Sequence, residues 1–209
     1  MSILRVAQTV AAARGHDPAH VADVAHRALG EIESIALREG RCLVAGFGLF
    51  KLRRRAKRVA RNPRTGAPVE VPARTALVFR HDPSWSAPGE PARRGTRAAG
   101  PDSTVGAICR TLAQHYDKDA GEMLAIVNDV LREIRRQTLA RGRCDVGLLG
   151  VLKSRTSPVV APRGSRQGAL ASQGTKLKVV LAHHRRRRLE IASLPLRTAT
   201  ARGAAESGK

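Results

Sequence analysis

The side chains best suited to chemistry are the basic residues that precede a proline-containing turn. From Arg53 to Arg64 there are seven basic residues in twelve positions and no acidic residue. Charge at this density repels itself unless an anion neutralises it, and guanidinium groups suit phosphate oxygens. The turn at residues 62–66, Asn-Pro-Arg-Thr-Gly, adds a proline that could act as an apolar wedge between stacked bases. The pattern predicts a polyanionic partner, although such a tip taken alone could be an ordinary turn.

Other residue types give no sign of catalysis or of a bound cofactor. Cys42, Cys109 and Cys144 form no CxxC pair and lie in apolar or strand-like surroundings, so we expect small core residues. His16 and His20 straddle a predicted helix start, without a Cys, Asp or Glu at metal-ligand spacing. There is no nucleophile with a base and no phosphate-binding glycine loop. We therefore predict no enzyme activity, no metal and no cofactor.

The balance of charge favours nucleic acid as the partner. The 209 residues include 38 Lys plus Arg against 17 Asp plus Glu, a formal net charge of +21. No apolar run approaches the roughly 18 residues of a spanning helix, and the N-terminus lacks a signal-peptide pattern. We expect a cytoplasmic protein with no membrane partner. Scattered charges such as Arg38 and Arg41 are assigned to solvated faces.

The chain contains an internal repeat at an offset of 102 residues. GRCLVAGFGLFKLR at 40–53 aligns with GRCDVGLLGVLKSR at 142–155 without a gap. All three phenylalanines fall opposite leucines, which indicates two versions of one apolar core: Phe47, Phe50 and Phe79 meet Leu149, Leu152 and Leu181. Both copies are basic, with 15 basic and 7 acidic residues in 1–82 and 13 and 6 in 104–183.

The repeat defines the predicted domain organisation. Residues 1–82 form a copy with the full basic motif, and residues 104–183 form a degenerate copy. Residues 83–103, rich in Pro, Gly and Ala, are predicted to be a flexible linker with a span of about 25 Å. Residues 184–209 are predicted to be a basic, disordered tail, within which 187–195 could form a short closing helix. Whether Arg185–Arg188 contact nucleic acid is left open.

Each copy is predicted to begin with a helical hairpin. Apolar residues recur at helical spacing from Ile3 to Gly15, and Asp17 followed by Pro18 begins a second helix that ends at Gly40. Asp119 and Glu122 resemble a capping box at the same point of the second copy.

Beyond the hairpin the periodicity changes to that of strands. Gly46 and Gly48 indicate a turn before a long basic strand, which returns after residues 62–66 through Val69 and Val71. Because few apolar residues lie between 53 and 68, we expect this ribbon to project as an arm.

The stretch GFGLFKLRRRAKRVARNPRTGAPVEVPARTALVF, residues 46–79, resembles the HU and integration host factor family. The glycine-aromatic-glycine turn, the basic strand, the Arg-Asn-Pro-x-Thr-Gly tip and the Pro-Ala of the return strand occur in order. The resemblance implies an α+β fold: two HU-like copies, each a helical hairpin followed by a three-stranded antiparallel sheet with a protruding β-ribbon arm. It also implies that Arg61, Asn62, Pro63 and Arg64 lie in the minor groove, with Pro63 intercalating, and that the family's dimer has two arms.

The second copy departs from this motif at the tip, where Gly164 replaces the asparagine and Ser165 the wedge proline. We therefore predict unequal arms. The residues predicted to bind DNA are Lys51, Arg53, Arg54, Arg55, Lys57, Arg58, Arg61, Asn62, Pro63, Arg64, Arg74, Arg80, Lys153, Arg155, Arg163, Arg166, Lys176 and Lys178.

A copy of this size that spends about 20 residues on an arm has little chain left for a core, so a partner surface is expected. The copies could pair within the chain as a pseudo-dimer, or the protein could form a homodimer or a heterodimer with an HU-type subunit. The predicted function is that of a nucleoid-associated architectural protein that bends or compacts double-stranded DNA with low sequence specificity. Three alternatives stay open: a site-selective bender, an RNA-binding or ribosome-associated protein, and a scaffold whose second copy serves only for pairing.

Overall fold

The computed structural model describes residues 2–86, 99–158, 175–183 and 191. The first copy contains α1 (Ile3–Arg14), α2 (Pro18–Glu39), β1 (Arg41–Val44), β2 (Gly48–Arg55), β3 (Arg58–Arg61), β4 (Pro68–Val71) and β5 (Arg74–His81). The second contains α3 (Thr104–Tyr116), α4 (Ala120–Arg141), β6 (Arg143–Asp145), a 3-10 turn at Gly147–Leu149, β7 (Val151–Pro158) and β8 (Thr175–Ala182). The predicted α+β fold, with a helical hairpin before an antiparallel sheet, is confirmed.

The second helix of each hairpin begins at the predicted cap. The Asp17 carboxylate accepts the backbone N–H of His20 at 3.0 Å, and Pro18 occupies the first helical position. The Asp119 carboxylate accepts the backbone N–H of Glu122 at 2.9 Å. Each cap satisfies a helix donor that has no partner within its own helix, so both hairpins turn at the same point.

Each copy has a three-stranded antiparallel sheet, ordered β1-β2-β5 in the first and β6-β7-β8 in the second. The aligned phenylalanines and leucines are all buried, which confirms them as core residues. Only glycine fits at position 48 and at its counterpart, position 150. A Cβ on Gly48 would lie 2.5 Å from the carbonyl oxygen of Arg80, and one on Gly150 would lie 2.5 Å from that of Ala182.

The three cysteines pack in the core as predicted. Cys42, Cys109 and Cys144 are buried and free of disulfides. Burial raises the pKa of each thiol to about 11. The thiolate is therefore scarce near neutral pH.

The two copies pack against each other within the chain. Helix α1 contacts α4, and α2 contacts both α3 and α4, so one apolar core contains residues of both copies. At the edges of this junction Arg14 pairs with Asp129, and the Tyr116 hydroxyl donates to the Asp23 carboxylate. This bond and burial raise the pKa of Tyr116 to about 12, with burial the larger cause.

The segment predicted as a flexible linker has a buried residue at each of its described ends. Trp85 is only 2% exposed, and its ring lies 5.2 Å from that of Phe47 and 5.8 Å from that of Phe79, between centroids. Ala99 is also buried. Burial of a large aromatic ring against an apolar surface stabilises this end of the segment. A composition rich in Pro and Gly did not indicate this contact. Residues 87–98 lie outside the described part.

In the segment predicted as a disordered tail, Ile191 is helical and 2% exposed. The positions 184–190 and 192–209, including Arg185–Arg188, lie outside the described residues. The domain boundaries proposed from the sequence stay a prediction.

Candidate nucleic-acid interface

The exposed face of the first sheet collects basic side chains through strand alternation. Along β2, Phe50 is buried whereas Lys51, Arg53 and Arg55 are exposed. Across the pair with β5, Arg55 lies opposite Arg74, and Arg80 shares the same face. Because side chains of one parity share a face, these predicted residues point away from the helices.

Arg54 differs from its two neighbours. It follows Phe50 and Leu52 in the alternation and lies opposite the buried Thr75, at the end of the sheet. Arg54 is exposed but does not share the face of Arg53 and Arg55. A run of three arginines in a strand must divide between two faces.

The structure adds Arg41 to the exposed face. Its Cα lies opposite that of Lys51, and β1 alternates between exposed and buried residues. From the sequence alone, Arg41 is expected on a solvated face without a role. The alternation of Arg41 and Leu43 with Cys42 and Val44 was the signal that could have identified it.

The second sheet repeats this arrangement with fewer charges. Lys153, Arg155 and Lys178 are exposed, and Arg155 lies opposite Lys178. Arg143 lies opposite Lys153, as Arg41 does opposite Lys51. Lys176 is opposite Ser157 in the register. Arg163 and Arg166 lie outside the described residues.

The two sheets adjoin along β5 and β8. The Nε2 atom of His183 lies 2.8 Å from the carbonyl oxygen of Leu77 and joins the two strands. Since the buried faces of both sheets cover the helices, the exposed faces form one surface, which we call the basic face. It comprises Arg41, Lys51, Arg53, Arg55, Arg74, Arg80, Arg143, Lys153, Arg155 and Lys178.

Beyond the first sheet, β3 and β4 form a separate two-stranded ribbon, with Arg58 opposite Val71 and Arg61 opposite Pro68. Its side chains are almost all exposed, including Val59 and Val69, so the predicted projecting arm is present. The Lys57 ammonium is 2.7 Å from the Glu70 carboxylate, with both side chains more than 60% exposed. Such a pair contributes only about 0–1 kcal/mol, so Lys57 can exchange it for a phosphate.

The tip of the arm is a well-defined turn that presents Pro63. The side-chain oxygen of Asn62 accepts the backbone N–H of Arg64 at 2.9 Å, and its carbonyl accepts the N–H of Gly66, also at 2.9 Å. Gly66 has φ 70°, a left-handed conformation that glycine adopts without strain. The side chains of Pro63 and Arg64 take no part in these bonds and are exposed. The structure thus gives Asn62 a role in shaping the turn.

Two further features, a metal-binding cluster and a membrane-spanning helix, are absent from the described ranges. These ranges hold no group of three or more His, Cys, Asp or Glu side chains that could bind a metal ion. His16 pairs instead with Glu122, 3.8 Å away. No helix in these ranges combines the length and apolar character that a membrane crossing requires.

Comparison with known proteins connects this geometry to a family. The family model described as bacterial DNA-binding protein matches residues 1–86, from α1 through β5 to the buried Trp85. The first copy is similar to the bacterial DNA-binding protein family along its whole length. The relation of residues 104–183 to this family rests on the internal repeat and stays a prediction.

Individual relatives match part of the first copy. Integration host factor subunit alpha of Xanthomonas campestris pv. campestris (strain B100) and that of Stenotrophomonas maltophilia (strain K279a) are each 48% identical over 46 residues. This stretch covers 22% of the present chain and 46% of each relative, so the chain spans about half the length of the curated relatives it matches. The structure titled Anabaena HU-DNA cocrystal structure is 29% identical, with a TM-score of 0.34, covering 39% of this chain and 88% of that one.

Proposed function

We propose that this protein is a non-enzymatic architectural protein of the nucleoid that binds duplex DNA with low sequence specificity and bends it asymmetrically. The observation that carries the proposal is the continuity of the basic face with a projecting basic arm. A duplex lying along this surface would meet cations from both sheets and from the arm. All these contacts would be made to phosphates, which carry no sequence information.

The arm is suited to the minor groove. A two-stranded ribbon with Arg58, Arg61 and Arg64 brings guanidinium groups to phosphates and to the negative potential of a narrow groove. The exposed ring of Pro63 lies at the tip and offers a small, rigid apolar surface for insertion between base pairs. The bonds of Asn62 hold the turn, so the wedge loses little freedom on insertion.

The bend is asymmetric because the two arms differ. The first arm ends in Pro63, whereas the corresponding position of the second copy is Ser165. A serine hydroxyl would need a hydrogen-bond partner inside the base stack, so this arm gives phosphate contacts and no wedge. One kink therefore dominates the path of the duplex.

We further propose that the copies act as a pseudo-dimer within one chain. The shared core and the contacts of α1 and α2 with α3 and α4 support this arrangement. Sedimentation across a range of concentrations tests it, since a pseudo-dimer stays at the mass of one chain. A concentration-independent species of two chains would contradict it, and would favour pairing between chains.

The central experiment measures duplex bending by end-to-end fluorescence transfer for the wild type and Pro63→Ala, across a salt series. We expect Pro63→Ala to lose most of the bend and to keep a steep salt dependence, because charge and wedge act separately. The matched control is Pro68→Ala, at the base of the same turn. Unchanged bending in Pro63→Ala would show that the wedge lies elsewhere, and no duplex binding by the wild type would overturn the proposal.

A site-selective bender, in the manner of the integration host factor after which the curated relatives are named, is the nearest rival to this function. Competition between random and defined duplexes at fixed salt separates the two functions. Comparable affinities support the low-specificity function, whereas a defined site preferred by a factor of about 1,000 or more would establish the rival. An RNA duplex of equal length belongs in the same assay, because a preference for it would contradict DNA as the partner.

A further inference from the structure

A cluster of three arginines lies at one side of the molecule, outside the arm and the predicted DNA-binding residues. Arg5 of α1, Arg141 at the end of α4 and Arg143 of β6 line an open cavity of about 390 Å³ together with Ser2. We call these three residues the arginine flank. All are exposed, and they come from both copies.

The guanidinium groups of the arginine flank have no carboxylate partner within 4.0 Å among the described residues. Other arginines of the same helices do have such partners, as Arg14 pairs with Asp129 and Arg136 with Glu133. Three like charges around one cavity repel one another, and a phosphate would relieve this repulsion.

Arg143 connects the arginine flank to the basic face. It lies on the edge strand β6 opposite Lys153, with its side chain exposed. A duplex that leaves the basic face across β6 therefore meets Arg143 first, and Arg5 and Arg141 next. The arginine flank continues the same phosphate-binding surface around one side of the body.

The internal repeat provides a comparison within the same molecule. At the offset of 102, Arg143 corresponds to Arg41, but Arg141 corresponds to Glu39 and Arg5 to Ala107. The cavity on that opposite side is lined by Glu39 and Arg41 with the apolar Ile35, Leu43 and Leu49. Glu39 also accepts a hydrogen bond from Arg38 at 3.2 Å. Among the described residues that line these two cavities, three arginines lie at one, whereas Arg41 and Glu39 lie together at the other.

We propose that the arginine flank captures the phosphates of the duplex beyond the bend, and that it does so on one side of the body only. This inference rests on the proposed function, because it extends the path of the same duplex. The DNA then leaves the protein along two unequal paths. One flanking segment of the duplex lies against the body, and the other does not contact it. The unequal arms and the unequal flanks are separate sources of this asymmetry.

Directed cleavage of DNA tests the proposal at two corresponding positions. Ser2→Cys places a thiol at the arginine flank, and Thr104→Cys places one at the opposite flank, where both native side chains line the respective cavities. An iron chelate attached to either thiol cuts DNA nearby, and the three native cysteines are buried and escape labelling. We expect strong cutting of flanking DNA from position 2 and weak cutting from position 104. Equal cutting from both, or none from position 2, would overturn the proposal.

A binding experiment separates this inference from the proposed function. One duplex is short, and a second is longer by about one helical turn, roughly 10 base pairs, at each end. For the wild type we expect tighter binding to the longer duplex. For Arg5→Ala/Arg141→Ala we expect this gain to disappear and the salt slope on the longer duplex to fall by about 2, near 0.9 for each lost phosphate contact.

The control is Arg38→Ala/Arg132→Ala, which removes the same charge from two exposed residues that pair with neighbouring carboxylates. It should keep the gain, and circular dichroism verifies that both variants are folded. Intact bending of the short duplex together with an unchanged gain in Arg5→Ala/Arg141→Ala would refute the flank and leave the proposed function standing. Failure of the wild type on the short duplex would refute both.

A transfer of charge provides the converse test. Glu39→Arg/Ala107→Arg reproduces the arginine flank on the opposite side. We expect cutting from Thr104→Cys to rise to the level seen from Ser2→Cys. Unchanged cutting from position 104 would mean that these charges do not set the path of the flanking DNA.

Discussion

The guanidinium carbon of Arg135 lies 5.9 Å from the centroid of the Trp85 ring, which places a cation of α4 over an aromatic residue that follows β5. Arg135 also donates to the hydroxyl of Ser84 at 3.1 Å and to the Ser84 carbonyl oxygen. Burial lowers the pKa of Arg135 from its usual value, although the guanidinium keeps its charge. The end of the first copy is thereby attached to a helix of the second.

Trp85→Ala is expected to lower the free energy of unfolding by about 3 kcal/mol or more, because it empties a buried aromatic position. Chemical denaturation measures this change, and Trp85→Phe, which keeps a ring, should cost less. A double-mutant cycle with Arg135→Leu should give a coupling of about 0.5–2 kcal/mol. Strictly additive effects would show that the cation–ring contact contributes nothing in solution.

Arg41→Ala/Arg143→Ala is expected to reduce the slope of log affinity against log salt by about 2, since each arginine adds one phosphate contact to the basic face. Bending at low salt should be retained, because the arm is unchanged. Titrations on one duplex at several salt concentrations measure the slope. Arg38→Ala/Arg132→Ala has the same net charge, and an equal drop in that variant would assign the effect to overall charge.

Glu70→Gln is expected to tighten DNA binding and to raise the salt slope by about 0.9, because it frees Lys57 for a phosphate and removes a negative charge from the arm. The same titrations measure both quantities. Glu31→Gln makes the same chemical change on the exposed side of α2 and should have a smaller effect. Weaker binding of Glu70→Gln would mean that the ion pair orders the arm for binding.

The native thiols are expected to resist a thiol reagent at pH 8 and to react at once in denaturant. Their folded-state pKa of about 11 exceeds the ordinary value of 9.0, so folding disfavours the thiolate. The buried, protonated thiols therefore contribute fully to the free energy of unfolding below pH 9, and this contribution is lost as the pH rises through 11. Denaturation between pH 8 and 11 measures this loss, which should be shallower in Cys42→Ala/Cys109→Ala/Cys144→Ala. Rapid labelling of the folded protein at pH 8 would contradict the burial.

Much of the local structure could be predicted because it depends on neighbours along the chain. The cap at Asp17 and the turn around Pro63 need only residues within a few positions, and both occur where they were expected. The equivalence of Phe50 and Leu152 followed from the repeat, because one core volume accepts either side chain with compensation nearby. The burial of Trp85 was missed, since Phe47 and Arg135, which contact its ring, lie far from it along the chain.

The candidate site could be predicted only in part, for the same reason. The sequence by itself determined the basic strand, the proline tip, the second copy and its altered tip. The tertiary structure decided that Arg41 lies opposite Lys51, that Arg143 lies opposite Lys153, and that Arg5 lies beside Arg141. Strand alternation can be counted along one segment, whereas the residue opposite or alongside is chosen by strand register and helix packing. Charge is therefore visible in the sequence, but the surface it forms arises when distant segments are brought together in the fold.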